Sequence, residues 1–514
     1  MTQNNQTPYE SRQSLVDVNW GGEIHHNALL NTGLRSELPV RWSGDKMYEI
    51  AGKTTITYSF ISKSSILGYG DDVKEIIQPT HDFSEKQKSD IRKIFENLES
   101  YVNINFVEVA DASTVGTIRI GFNTITDEQG NFRPGIYATA DPPSTESRGG
   151  DIWFNKNFSE SNFSGDLVER DGLAANGETP TAHSVMVHEI LHALGLEHPD
   201  NPKYPIPDSV RNWEHTVLSD SYSHDASYLL NGIEYGVSST PMPWDIAGIQ
   251  HLYGANQVTN SGDTVYSFNS SSPFYKTIWD SSGIDTIDLQ NFNNNVSVHL
   301  IGGKLSTLRF NVADPRWSAK QHGNLGIAFG STIENAFLGS GDDYVKGNVY
   351  SNVLIGNKGD DKLVGVRGAD TLRGESGDDE LRAGNGRDII TGGAGGDTMY
   401  GGFGLNTFED ADDGEIDQLF FKSDQHAYNW IYDKDGNSPN GEKADKIMEL
   451  DPFDEIFVQG VETEELDFRN VWHRSNLGET LDGIGIYASG TLEAVYVGDD
   501  LSLGQIKAMT QGIL

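Results

Sequence analysis

From Leu338 to Glu409 the chain falls into eight consecutive units of nine residues: "LGSGDDYVK", "GNVYSNVLI", "GNKGDDKLV", "GVRGADTLR", "GESGDDELR", "AGNGRDIIT", "GGAGGDTMY" and "GGFGLNTFE". Place eight is apolar throughout: Val345, Leu354, Leu363, Leu372, Leu381, Ile390, Met399 and Phe408. Place six carries Asp343, Asn352, Asp361, Asp370, Asp379, Asp388, Asp397 and Asn406. Each unit reads as a glycine-rich turn followed by a very short strand. Stacked turns would let the place-eight side chains fill a narrow core. The turn carboxylates and backbone carbonyls are hard oxygen ligands, suited to calcium. Asp343, Asp361, Asp370, Asp379, Asp388 and Asp397 are therefore the expected calcium ligands. Without the ion the stacked aspartates repel one another over a thin core, so this segment is expected to fold only when calcium is present. The second unit has Tyr350 in a glycine place and Ser351 beside Asn352, which predicts a weak or empty site. The last unit lacks its aspartate, as an end repeat would.

A second stretch carries chemistry of another kind. "VHEILHALGLEHPD" runs from Val187 to Asp200. His188 and His192 are four apart and share one face of a helix. Glu189 completes H-E-x-x-H. Gly195 permits a sharp turn after the helix that brings His198 back toward the other two. Three neutral imidazoles leave one zinc position open, which separates a catalytic site from a structural one. Glu189 would serve as general base for water in that position. Glu197 lacks such an offset and reads as a solvated residue. His183 reads as a loop or helix-start residue, and His25, His26 and His215 as surface or packing residues.

Composition narrows the field. The chain has 514 residues and a formal charge of -39, from 76 acidic and 37 basic residues. That length suggests two to four domains. The sign excludes nucleic acid as a partner and calls for neutralising cations, again calcium. There are no cysteines, so no disulfide or thiolate contributes. "MTQNNQTPYE" lacks a basic region followed by an apolar run, and no segment approaches the length of a membrane span, so neither an ordinary signal peptide nor a spanning helix is expected. No oligomer signal is evident, and a monomer is expected.

Along the chain, residues 1–40 read as an N-terminal segment, potentially a pro-peptide. "TTITYSFIS", "INFVEV", "GTIRIGFN" and "GDIWFN" read as strands. Ser84 to Asn103 reads as a helix capped by Ser84, with Ile91, Ile94, Phe95 and Leu98 as its apolar stripe. With the zinc helix these make an α+β unit over residues 41–255. Residues 256–337 form a β-rich junction, 338–409 the repeat, and 410–514 a further β-structure that includes "QLFF", "YNWIYD", "DKIMEL", "DEIFVQG" and "LEAVYVG". "DKDGNS" from Asp433 reads as a hairpin turn rather than a calcium loop.

The zinc helix and the nonapeptide repeats together resemble the serralysins, secreted metzincin proteases of bacteria (peptidase family M10B). "HEILHALGLEHP" is similar to that family's extended zinc motif, "PMPWDIAGIQHLYGAN" to the end of its protease domain, and "TIWDSSGIDTIDL" and "IAFGSTIENAFLGSGDD" to its junction into the repeats. The resemblance implies an α+β metzincin protease domain followed by a C-terminal parallel β-roll/β-sandwich domain. It implies His188, His192 and His198 as ligands of one catalytic Zn2+, Glu189 as base, and several structural Ca2+. It implies a sheet whose edge strand, near "GDIWFN", pairs with an extended protein or peptide substrate. It also implies secretion through a type I apparatus guided by an uncleaved C-terminal signal. Four features depart from the family. Its Met-turn matches "TVLSD", which puts Leu218 at the methionine and Asp220 at the catalytic tyrosine; Tyr222 would take the tyrosine's role if the loop shifts by two residues. Leu191 replaces a helix glycine, and "MTQGIL" lacks the usual terminal aspartate.

The reading is a calcium-stabilised, zinc-dependent extracellular endopeptidase. The altered Met-turn keeps open a catalytically weak or inactive protease-like binding or surface protein.

Overall fold

The structure is a computed structural model, and it describes residues 8–10, 18–20, 23–25, 40–42, 53–63, 79–111, 116–126, 136–144, 148–156, 182–199, 207–219, 240–311, 322–409, 413–423, 444–448, 450–474, 480–498 and 500–514. Its N-terminal part is mixed α/β. Five strands form one sheet: β1 (Thr54–Phe60), β2 (Ile104–Glu108), β3 (Ile118–Asn123), β4 (Ala138–Ala140) and β5 (Asp151–Asn155), in the order β2-β1-β3-β5-β4. All neighbours are parallel except β4, which runs antiparallel to β5. Helix α1 (Glu85–Tyr101) starts with a capping box, in which Ser84 and Gln87 bond each other's backbone N–H. That satisfies two of the donors a helix start leaves open. Its Ile91, Ile94, Phe95 and Leu98 are buried, as their spacing predicts. They pack with α2 (Ala182–Ala193), α3 (Pro243–Tyr253) and the sheet in one core.

One expectation about the sheet is corrected. "GDIWFN" supplies β5, which lies inside the sheet; the edge strands are β2 and β4, and the one next to β5 is β4, Ala138–Ala140. Every residue of β5 is buried, the pattern of a strand covered on both sides.

The C-terminal part consists of mostly parallel sheets. Repeat units alternate between two of them, so each strand pairs with the strand 18 residues away, such as Leu354 with Leu372 and Leu363 with Leu381. All eight place-eight residues are fully buried in one core. Close stacking requires glycine in the turns: Gly377 has φ +133°, and a Cβ there would lie 2.1 Å from Gly359 O. The ladder passes both ends of the repeat. Upstream it includes Thr286–Asp288 and Asn335–Phe337, paired on to Val353–Lys358. Downstream, Gln418–Lys422, Glu455–Gln459 and Thr510–Ile513 continue one sheet, and Asp445–Ile447 and Thr491–Tyr496 the other. "YNWIYD" and "DKDGNS" lie outside the described residues. No described helix is long and apolar enough to cross a membrane.

Candidate metal centre

Helix α2 carries His188, Glu189 and His192. It ends because Gly195 takes φ +108°, which a side chain would resist. Leu196 N then bonds Leu191 O at 3.0 Å and Gly195 N bonds His192 O at 2.9 Å. This turn delivers His198. The Nε2 atoms of His188 and His198 lie 3.0 and 3.1 Å from that of His192, and the ligand atoms all fall within 4.8 Å of one another.

The proton positions follow from the partners. His188 Nδ1 lies 2.8 Å from Val217 O, and His192 Nδ1 lies 2.8 Å from Leu196 O. A carbonyl only accepts, so both Nδ1 atoms carry the proton and donate. Both Nε2 atoms therefore present lone pairs to the same point. Bare lone pairs about 3 Å apart repel, and a shared cation removes the repulsion. A tetrahedral zinc about 2.0–2.1 Å from each nitrogen would set them about 3.3 Å apart, close to what is found. Burial, with the neighbouring imidazoles adding to it, pushes His192 down to about 3, so it stays neutral and ready to ligate. Glu189 is buried, at 6% exposure, beside His188 on the same helix.

The carbonyls that hold the imidazoles are themselves held. Asp245, at the start of α3, accepts bonds from Thr216 Oγ1 at 2.6 Å, Val217 N at 2.8 Å and Met242 N at 2.8 Å. Burial raises its carboxyl to about 7 against those three donors. Leu218, in the same turn, is fully buried. Asp220 and Tyr222 lie outside the described residues. His215 bonds Asn212 Oδ1 through Nδ1, and burial lowers it to about 4, as suits a packing residue. His183 is the second residue of α2, and Glu197 is half-buried with its carboxyl raised by burial.

The repeat turns form a different set of oxygen sites. Oδ1 of each place-six carboxylate accepts from the backbone N–H one rung earlier: Asp361 from Asp343 at 2.7 Å, Asp379 from Asp361 at 2.7 Å, Asp397 from Asp379 at 2.8 Å. The facing row repeats this, with Asp370 accepting from Asn352 and Asp388 from Asp370. Oδ2 of Asp361, Asp370, Asp379, Asp388 and Asp397 is buried with no hydrogen-bond partner, as is that of Asp417. Burial raises Asp361 and Asp397 to about 8, Asp370 and Asp379 to about 7, and Asp388 to about 6. Stacked, half-satisfied carboxylates among glycine carbonyls are a donor set that fits calcium. Asp343 differs, because its Oδ2 accepts from Gly339 N. The second unit differs more. Asn352 Nδ2 donates to Glu334 O at 2.8 Å and to Asn348 Oδ1 at 3.2 Å, so this place offers a donor where the aspartates offer a carboxylate oxygen.

Sequence reasoning found the three histidines but not Asp245, Val217 or the Leu196 carbonyl. Backbone acceptors leave no signature in a sequence, and Asp245 lies 28 residues from the Val217 N–H it holds.

Comparison with known proteins agrees with this geometry. Residues 70–221 match the family model described as Matrixin, and residues 252–419 match that described as Peptidase M10 serralysin C terminal. Serralysin G of Dickeya chrysanthemi is 30% identical over 333 residues, covering 61% of this chain and 63% of that protein. Serralysin of Proteus mirabilis is 31% identical over 343 residues, with the same coverage of 61% and 63%. Serralysin of Photorhabdus luminescens is 32% identical over 313 residues, covering 55% and 57%. The matched stretch thus spans somewhat under two thirds of these relatives, at 63%, 63% and 57% of their length. The chain is homologous to the M10 metalloproteases of the serralysin type, and its three histidines form a cluster suited to a metal ion.

Proposed function

We propose that the chain is a secreted, zinc-dependent endopeptidase whose repeat domain is stabilised by calcium. The observation that carries the reading is the convergence of three Nε2 atoms, two with their protons turned away onto carbonyls; Glu189, next to His188 in the chain, is buried. His188, His192 and His198 would hold the zinc, which supplies a Lewis acid for a peptide carbonyl and makes a nearby water more acidic. Glu189 accepts the proton of the attacking water at its carboxylate and returns it to the departing amine. The side of β4 that pairs with no described strand offers N–H and C=O groups to an extended peptide, which would fix the scissile bond over the histidines. Tyr222 is proposed to stabilise the charge that develops on the substrate oxygen.

Asp343, Asp361, Asp370, Asp379, Asp388 and Asp397 are proposed as calcium ligands of residues 338–409, with 256–337 as junction and 410–514 as closing β-structure. The protease unit is residues 41–255, preceded by the 1–40 segment. Homology to serralysins supports export by a type I apparatus into calcium-rich surroundings, where the roll folds. Casein turnover and zinc content, measured on one sample in calcium, test the reading. One zinc per chain with turnover lost in Glu189→Ala, by about 10²–10⁴-fold or more, is expected. One zinc without turnover would favour the binding-protein reading.

A further inference from the structure

Helix α2 leaves its last carbonyls inside the protein, where each needs a donor. Three are met locally: Ile190 O by Leu194 N, Leu191 O by Leu196 N and His192 O by Gly195 N. The remaining two are met from far away in sequence. Trp42 Nε1 donates to Ala193 O at 2.9 Å, across 151 positions. Tyr253 OH, at the end of α3, donates to Leu194 O at 2.7 Å and accepts from Trp42 N at 3.3 Å.

Trp42 is 3% exposed and sits on the strand Val40–Trp42. Its ring lies against Gly150, just before β5, where a Cβ would come within 2.8 Å of Cζ2. The indole is therefore wedged between the sheet and the end of the zinc helix. What it holds there is the turn that makes the metal site. That turn presents Leu196 O to His192 Nδ1 and carries His198. Leu196 is also pressed by α3, since a Cβ at Gly248 would lie 2.9 Å from Leu196 Cδ2.

We infer that Trp42 is a positioning residue for the metal: its indole N–H, with the Tyr253 hydroxyl, pins the Ala193–Leu196 turn that orients His192 and His198. Asp245, on the same helix α3 as Tyr253, holds the His188 side through Val217, and Trp42 adds a brace from the N-terminal strand. The strand of Trp42 pairs antiparallel with Pro8–Glu10, so the first residues of the chain connect mechanically to the zinc ligands. This inference rests on the zinc reading above.

Trp42→Phe keeps a buried ring but deletes the donor together with part of the indole, whereas Tyr253→Phe removes a hydroxyl alone. The test uses the full chain in calcium. Zinc transfer to a coloured chelator is timed well below the melting temperature, and the visible spectrum of the cobalt(II)-substituted protein is recorded. Ile56→Val, a buried change within the sheet core, is the control for general stability. Trp42→Phe is expected to lose zinc about tenfold faster, the low end of the range for partners that orient metal ligands. Its cobalt bands should shift, and Ile56→Val should change neither. Tyr253→Phe is read in the same way, and it decides the matter if Trp42→Phe does not fold. Zinc loss and cobalt bands unchanged, with only a lowered melting temperature, would overturn the inference and leave Trp42 a packing residue. A wild-type chain that holds no zinc would overturn the reading of the site itself.

Discussion

Removing calcium should unfold the repeat at neutral pH and spare it in mild acid. Folding raises the carboxyls of Asp361 and Asp397 to about 8, Asp370 and Asp379 to about 7, and Asp388 to about 6. The unfolded-chain value is about 3.9. A pKa raised by folding means the folded repeat binds protons more tightly than the unfolded chain. Its stability is therefore fullest below about pH 4 and drains away as pH rises through about 6 to 8. At pH 7.5, the proton linkage of these five carboxyls removes about 20 kcal/mol relative to acid before any discount. The turns lie at the edge of the stack with solvent on one side, so screening removes about half and leaves about 10 kcal/mol. That matches the whole stability of an ordinary domain. At pH 5.0 the same reasoning leaves about 4 kcal/mol. The assay is far-UV circular dichroism of the full chain, with calcium stripped on a resin and one equivalent of zinc restored. Strand signal should fall at pH 7.5, return on adding calcium, and largely persist at pH 5.0 without it. Equal strand content at both pH values without calcium, or more at pH 7.5, would refute the reasoning.

Two further outcomes follow from named contacts. Asn352→Asp replaces an amide that donates to Glu334 O with a carboxylate that cannot, so the variant should bind one more calcium by calorimetry and melt lower than wild type in its absence. Asp245→Asn replaces one accepting oxygen with an NH2 group that faces donors, so chemical denaturation should show a loss of about 1–3 kcal/mol, accompanied by faster zinc loss through the slackened Val217 carbonyl.

The repeat was legible because its units have constant length. Pairing in the structure needs only register, and beyond Glu409 the register survives while the spacing does not. Asp417 follows Asp397 after 20 residues, Asp445 follows Asn406 after 39, and Asp454 follows Asp417 after 37. Each takes the same ladder bond, with its Oδ1 accepting the earlier residue's N–H. A search for a fixed period stops where the insertions begin, although the stack does not. The edge strand was hidden for another reason. Ala138–Ala140 is three residues long, with Thr139 between two alanines and no aromatic residue, so it reads more weakly as a strand than β5. The continuous apolar run of β5 signals cover on both faces.

At the metal site, the ligands announce themselves and their supports do not. His188, His192 and His198 are legible because one helix and one turn fix their spacing, so local geometry becomes sequence distance. The groups that aim them act through backbone atoms: Asp245 through Val217, and Trp42 and Tyr253 through Ala193 and Leu194. A backbone carbonyl is chemically the same in every residue, so nothing in the string "ALGL" says that an indole 151 positions away must meet it. The burial of that helix end makes the requirement physical. A carbonyl there cannot turn to water, so some distant donor has to arrive. A histidine motif on an exposed helix end would need no such donor. The bracing by Trp42 is thus a consequence of placing the metal ligands at the buried C-terminal end of a helix, and any substitution that exposes Ala193 O to water should weaken the demand for the indole.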